Sequence, residues 1–170
     1  MVSRSENVRS RSERPRVVYR IVRDRYPILD GSGAARLGAR WNSPGRQVIY
    51  AGESFAIAIL ERLVHLGNAR IPANHVFGAI TVPSQLEVEA IGPRDVTAWD
   101  ADDMAASRRF GDAWFDQRRT AVLMVPSLVT RIDRNVLLNS RHPDFPRITV
   151  TPPAPVSWDR RLFAGHDGTR

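Results

Sequence analysis

The sequence predicts an α+β fold on a mixed or antiparallel sheet, and three observations carry that prediction. Short β-branched or apolar runs recur at 17–22, 47–51, 75–82, 86–91, 122–125, 135–139, 148–151 and 156–163. Only two stretches, 55–66 and 104–119, carry the apolar spacing of longer helices. The resulting order, strand, helix, several strands, helix, several strands, lacks the regular alternation of a parallel doubly wound sheet. A length of 170 residues fits one domain.

Residues 1–15 are rich in Ser, Arg and Glu and nearly free of apolar side chains, which predicts a mobile tail. The domain proper is expected over 16–163, with a C-terminal tail at 164–170. The first strand, 17–22, carries Arg20 at its middle, where a guanidinium beside apolar neighbours needs a partner or an open cleft. Asp30-Gly31-Ser32-Gly33 reads as a loop, Gly38 as a turn element, and Asn42-Ser43-Pro44-Gly45 as a turn with Pro presetting φ. The strand at 47–51 carries Tyr50 near its end. Ser54 is a suitable N-cap for the helix over 55–66, whose apolar positions cover a wide arc and predict a mostly buried helix. Glu61, Arg62 and His65 share the remaining stripe, with Glu61 and His65 spaced to pair. Gly111 interrupts the propensity of the second helix by ~1 kcal/mol relative to alanine. Val122-Leu123-Met124-Val125, closed by Pro126-Ser127, reads as a buried central strand with Ser127 at its mouth.

Composition narrows the function. There is no cysteine, so disulfides, thiolate chemistry and cysteine-ligated metals are excluded. The four histidines show no ligand spacing, so no metal is expected. No apolar run reaches the ~18 residues of a membrane span, and the charged N-terminus has no apolar signal core, so cytoplasmic residence is expected. The net charge is +7, and every basic side chain apart from the histidines is an arginine. Eight of these arginines lie in residues 1–25 against three acids. Such an arm could bind nucleic acid. However, the chain lacks the aromatic ladder of a single-strand binder, and direct nucleic-acid binding is not expected.

The glycines match neither a dinucleotide fingerprint nor a phosphate-binding P-loop. Ser127, His142 and Asp144 could be assembled into a triad, but Ser127 lacks a nucleophile elbow, and His142-Pro143-Asp144 is better suited to fixing a loop. A more useful set is Arg20, Arg40, Tyr50, Glu61 and Ser127. Arginines hold pyrophosphate by charge-assisted bidentate bonds, a tyrosine stacks on a planar heterocycle, and one carboxylate stabilises a cationic sugar transition state. Together they describe cleavage of an N-glycosidic bond in a dinucleotide.

The ordered motifs Tyr19-Arg20, Gly38-Ala39-Arg40-Trp41-Asn42, Val48-Ile49-Tyr50 and Ala58-Ile59-Leu60-Glu61 continue with Val125-Pro126-Ser127, 135–139, 142–145 and 159–162. Over roughly 17–163 the chain resembles the RES-domain family, the toxins of RES–Xre toxin–antitoxin modules. The resemblance implies an ADP-ribosyltransferase-like fold, a split, mostly antiparallel sheet with flanking helices. It implies NAD⁺ as a consumed substrate, through hydrolysis or phosphorolysis, or through ADP-ribosylation of a protein. It further implies Arg20 and Arg40 as the grip on NAD⁺, Tyr50 on the nicotinamide side, Glu61 as the catalytic acid, Ser127 as an orienting group and Asn135 as a further polar contact. A helix-turn-helix Xre-type antitoxin and a homodimer follow from the same resemblance. Two positions depart from the family pattern: Ala39 stands where a second glycine is usual, and Ser140 where a proline is usual. Alanine at a φ > 0 position would be strained by about 1 kcal/mol.

Overall fold

The computed structural model describes residues 8–66 and 72–163, in which nine strands form one sheet with three helices. The elements are β1 (Val8–Ser10), β2 (Arg16–Arg23), α1 (Ser32–Leu37), β3 (Val48–Gly52), α2 (Phe55–Leu66), β4 (His75–Val82), β5 (Val88–Ala90), α3 (Ala105–Asp116), β6 (Val122–Pro126), β7 (Arg134–Asn139), β8 (Thr149–Val150) and β9 (Ala154–Pro155). Strand order is β1-β5-β6-β7-β3-β2-β4-β8, with β9 also on β4. Among these pairs β5 and β6 run parallel and the rest antiparallel. The α+β class and the mostly antiparallel sheet are thus as expected.

The sheet is split. β2 and β4 pair over eight positions and β3 and β7 over five, yet β2 and β3 meet at one position, Tyr19 opposite Gly52. Beyond that point the edge of β2 is free, and a cleft opens along it.

Side-chain alternation decides what each face of the sheet covers. All five residues of β6 are buried, because both of its faces are covered. Val122 and Met124 join Val18, Ile49, Ile80, Val136 and Leu138 in a core that spans both halves of the sheet. Leu123 and Val125 face the other way, toward Val48, Leu137 and the rings of Trp41, Trp99, Trp114 and Phe115. Trp114 and Phe115 of α3 are fully buried there, each stabilising the fold by roughly 1.5–3 kcal/mol through area removed from water.

Three expectations need correction. The Arg-rich segment 1–15 is not tail throughout: Val8–Ser10 pairs with β5, with Arg9 opposite Glu89. Glu89 has no solvent exposure and is held by Arg119 through bonds of 2.7 and 3.1 Å, with Arg9 Nε 3.9 Å away. A buried carboxylate needs such compensation, and that gives a chain segment with little apolar content a place to dock. Second, Ser32–Leu37 is a short helix rather than a loop. Asp30 Oδ1 and Oδ2 accept from the Ser32 N–H and hydroxyl at 2.9 and 2.7 Å, turning the chain into it. Third, 156–163 forms no strand. After β9 the chain makes a single 3-10 turn, Arg160–Leu162, with Asp159 capping the Arg161 N–H. The Val156 N–H still donates to the His75 carbonyl at 3.0 Å, but His75 is the first residue of β4, so the chain beyond has no strand to pair with. Residues 1–7 and the expected tail at 164–170 lie outside the described residues.

Candidate functional site

Glu61 owes its position to Gly52. A Cβ on Gly52 would lie 2.7 Å from the Ala58 backbone nitrogen, so only glycine lets the first turn of α2 lie directly on β3. Ser54 caps that turn, its hydroxyl accepting from the Ile57 N–H at 3.2 Å. Phe55 packs edge-on against Tyr19 and tilted against Phe77, fixing the helix over β2 and β4. Glu61 then falls one turn beyond Ala58 on the same helical face. The helix is less buried than its pattern suggested. Ile57 and Ala58 are its buried residues, while Leu60 and Val64 are 40% and 59% exposed.

Two donors meet Glu61 from the other half of the sheet. Ser127 Oγ donates to Glu61 Oε1 at 2.9 Å, and Asn135 Nδ2 donates to the same oxygen at 2.7 Å. Asn135 is the β7 residue in register with Gly52, and Val125 of β6 lies opposite it, so the carboxylate sits above a row running from Tyr19 to Val125. Ser127 is fully buried, and its Oγ accepts the Val129 and Thr130 N–H groups at 3.2 and 3.3 Å, leaving its proton for Glu61. Glu61 Oε2 takes no hydrogen bond from the described residues. One oxygen is therefore fixed and the other is available. His65, which the spacing offered as a partner, is exposed.

Tyr50 lies two residues before Gly52 on β3, hence on the same face of the sheet as Asn135. Its hydroxyl donates to Asn42 Oδ1 at 2.7 Å and accepts the Trp41 N–H at 3.2 Å. Burial raises the phenol well above its ordinary range, so it remains a protonated donor. Asn42 is itself fully buried, its amide donating to the Ala34 and Ser43 carbonyls at 3.0 Å each. Trp41 stacks on Trp99 and meets Phe110 edge-on. Arg40 Nη1 donates to the Trp99 and Ala101 carbonyls at 3.1 and 2.9 Å, while Nε and Nη2 bond to none of the described residues. Much of the Arg-Trp-Asn motif thus serves to hold its own loop. The left-handed step falls on Gly38 (φ 70°), and Ala39 is not among the residues of positive φ, so the alanine departure costs no strain. Ser140, the second departure, donates to the Gln47 carbonyl at 2.8 Å.

Arg20 lies in the cleft of about 590 Å³ along the free edge of β2. Its Nη1 donates to the Ile28 carbonyl at 2.8 Å. Burial, opposed by Asp30 and reinforced by Arg62, pulls its pKa down to about 10, so it remains a cation at neutral pH. Arg62, the residue after Glu61, lines the same cleft and donates to His75 Nε2 at 2.7 Å. His75 Nδ1 donates to the Ala73 carbonyl, which makes the ring a neutral acceptor toward Arg62.

The structure therefore brings Glu61, Ser127 and Asn135 into contact and sets Tyr50 on the same face of the sheet. Arg20 occupies the adjoining cleft, and Arg40 is a clamp on the loop at 99–101. Ser127 does not meet His142, whose Nδ1 accepts the Asp144 N–H at 3.0 Å as a loop fastening. Among the described residues no three His, Asp or Glu side chains gather as metal ligands, and no helix is long and apolar enough to cross a membrane. Sequence reasoning missed the cleft role of Arg62 and the locking role of Asn42. Asn42 could have been suspected from its place between a Trp and a turn, where a polar side chain commonly bonds backbone groups. Arg62 looked like one more charge on a solvated stripe.

The family model described as the RES domain matches residues 17–159. A protein of Sphingobium sp. (strain YBL2) named Prs ADP-ribosylating toxin is 38% identical over 79% of this chain and 86% of its own. Proteins named Toxin Res from Yersinia enterocolitica and Photorhabdus laumondii are 31% and 30% identical, over 86% and 76% of this chain and 99% and 85% of theirs. Among solved structures, a chain of the M. tuberculosis MbcT–MbcA toxin–antitoxin complex superposes with a TM-score of 0.67 at 19% identity, covering 82% of this chain and 83% of that one. At that identity the likeness speaks for the fold alone.

Proposed function

The chain belongs to the RES-domain family, and on that premise we propose that it is a toxin that consumes NAD⁺ by breaking the nicotinamide–ribose bond. The observation that carries this reading is the Glu61 carboxylate, pinned through one oxygen by Ser127 and Asn135 with the other oxygen left open. A carboxylate preorganised in this way gains most where positive charge develops during reaction. In this reading the pyrophosphate lies against Arg20, with Arg40 offering its unbonded Nε and Nη2, and nicotinamide lies toward the Tyr50 side. The C1′–N bond breaks, and its electron pair leaves with nicotinamide, neutralising the pyridinium. Glu61 Oε2 stabilises the oxocarbenium-like ribose. A water oxygen then bonds C1′ and loses its proton to solvent, giving ADP-ribose; inorganic phosphate in place of water would give the 1″-phosphate.

In this reading NAD⁺ is a substrate, and the guanidinium donors that Arg20 and Arg40 keep free of the described residues have the chemistry that its pyrophosphate requires. Chromatography of nicotinamide released from NAD⁺ by purified protein tests the proposal. Glu61→Gln should lower the rate on the order of 10²–10³-fold while the protein stays folded. Full turnover by that variant, or no release by the native protein, would overturn it.

A second reading, transfer of ADP-ribose to a protein, is favoured by the name of the 38%-identical Sphingobium relative. Adducts of ADP-ribose in a lysate, dependent on the protein and found by mass spectrometry, would support it. Release of nicotinamide in buffer alone supports hydrolysis. We further assign a helix-turn-helix antitoxin of the Xre type as the inhibitory partner and a homodimer as the assembly. Co-purification of the paired antitoxin and light scattering of the free protein test these two assignments.

A further inference from the structure

Several arginines elsewhere among the described residues are neutralised. Arg46 pairs with Asp112 and Asp116, Arg119 with Glu89, Arg131 with Asp100, Arg147 with Asp144, and Arg161 with Asp159. The cleft along β2 gathers arginines of another kind. Arg20, Arg23, Arg25, Arg36 and Arg62 all line it, and none of the five makes an ion pair among the described residues. The acid in the lining, Asp30, already accepts two hydrogen bonds from Ser32. The Arg62 Nε–H is buried without an acceptor. Like charges held together without counter-ions cost free energy unless an anion joins them.

A dinucleotide pyrophosphate carries two negative charges and needs two or three arginines. Arg20 and Arg62, the latter next to Glu61 in the chain, supply the first of these. Arg23 stands three residues further along β2, about 10 Å at ~3.3 Å per residue. Arg25 follows in the turn, and Arg36, in the last turn of α1, also lines the cleft. Arg25 and Arg36 thus add positive charge to the cleft beyond what a pyrophosphate requires. Because the β2 edge is free, side chains of both sheet faces reach it.

We propose that Arg25 and Arg36 bind a third phosphate, the 2′-phosphate on the adenosine ribose, and that the protein therefore binds and cleaves NADP⁺ at least as well as NAD⁺. This rests on the reading of the site as one that cleaves nicotinamide dinucleotides. The reaction is unchanged: C1′–N breaks with its electron pair on nicotinamide, water supplies the new C1′–O bond and a proton to solvent, and the 2′-phosphate stays on the product.

Two measurements on the full chain test it. Calorimetric titration compares adenosine 5′-monophosphate with adenosine 2′,5′-bisphosphate, which differ by the phosphate in question. The bisphosphate should bind at least 10-fold more tightly, and the Arg25→Gln/Arg36→Gln double variant should lose that advantage. Nicotinamide release gives the second readout. NADP⁺ should match or exceed NAD⁺ in kcat/KM, and the double variant should lose at least 10-fold on NADP⁺ with less than threefold change on NAD⁺. Equal binding of the two nucleotides, a preference that survives in the double variant, or NADP⁺ cleavage below one-tenth of NAD⁺ cleavage would each overturn the proposal. So would an effect of the two arginines seen only as stimulation of NAD⁺ cleavage by inorganic phosphate, which would give the site to a free anion. Failure of both dinucleotides to release nicotinamide would count against the cleavage reading itself, while the titration would still score the phosphate site.

Discussion

Replacing Gly111 by alanine pits two effects of opposite sign against each other in one position. By helix propensity alone, alanine inside α3 should stabilise the protein by ~1 kcal/mol. The packing says otherwise, because a Cβ at 111 would stand 1.8 Å from the Trp41 carbonyl oxygen and 2.8 Å from its carbon. Ordinary contact begins near 3.4 Å, so helix and loop must part by about 1.6 Å. Both colliding atoms are backbone, and no side-chain rotation relieves them. Overpacking of this kind costs typically 1–3 kcal/mol, or more. The retreat also stretches bonds anchored on the same loop: Trp41 N–H to Tyr50, Tyr50 to Asn42, and Arg40 to the 99 and 101 carbonyls. Each lost bond adds ~0.5–1.5 kcal/mol. The net is a destabilisation of about 2–4 kcal/mol, or a fall in Tm of roughly 5–15 °C for a chain of this size. Thermal denaturation followed by circular dichroism reads it directly. A Tm equal to or above that of the native protein would refute the reasoning, since it would mean that propensity outweighs the contact.

Ser127→Ala and Asn135→Ala each remove one bond to Glu61, and bonds to a charged group are worth about 1.5–3 kcal/mol. Each should slow nicotinamide release roughly 10–100-fold, and the double variant by less than the product, because both act on one oxygen; a fully multiplicative loss would argue against a shared role. His75, pushed below its ordinary 6.5 by burial and then by Arg62, gives the fold a stability that is complete above about pH 6.5 and lost as pH falls through the depressed value. In His75→Gln the difference in Tm between pH 7.5 and 5 should shrink, and an unchanged difference would exclude His75 as its source. Glu89→Ala leaves Arg119, only 18% exposed, without its carboxylate and should cost about 3 kcal/mol in urea titration. A cost under 1 kcal/mol would show that the pair contributes no more than a surface one.

Elements whose signal is local were legible in the sequence. The helix over 55–66 and the strand over 75–82 are found at those bounds, because a serine cap with apolar spacing and a β-branched run specify themselves. Glu61, Ser127 and Asn135 were candidates from residue type and resemblance, but their convergence on one oxygen depends on register across β3, β7 and α2, which no local pattern encodes. Gly111 registered only as a weak point in a helix; its meaning comes from Trp41, seventy positions earlier. The anchoring of Val8–Ser10 was illegible for a related reason. Its partner, Glu89, looks like the solvent side of an alternating strand until the second arginine, Arg119, is seen to cover it.

The single rung between Tyr19 and Gly52 bears on how the two halves of the sheet stay together. Hydrogen bonds contribute almost nothing at that seam, so the join is made by the apolar core that crosses it, with Val18 and Ile80 on one side and Ile49, Val136 and Leu138 on the other. A seam of that kind follows the thermodynamics of apolar hydration rather than of backbone pairing. It weakens on cooling and tightens in sulfate or sucrose, while the ladders within each half change far less. Cold is therefore the condition under which the halves part most readily, and amides flanking the seam should exchange sooner there than those of β6 and β7.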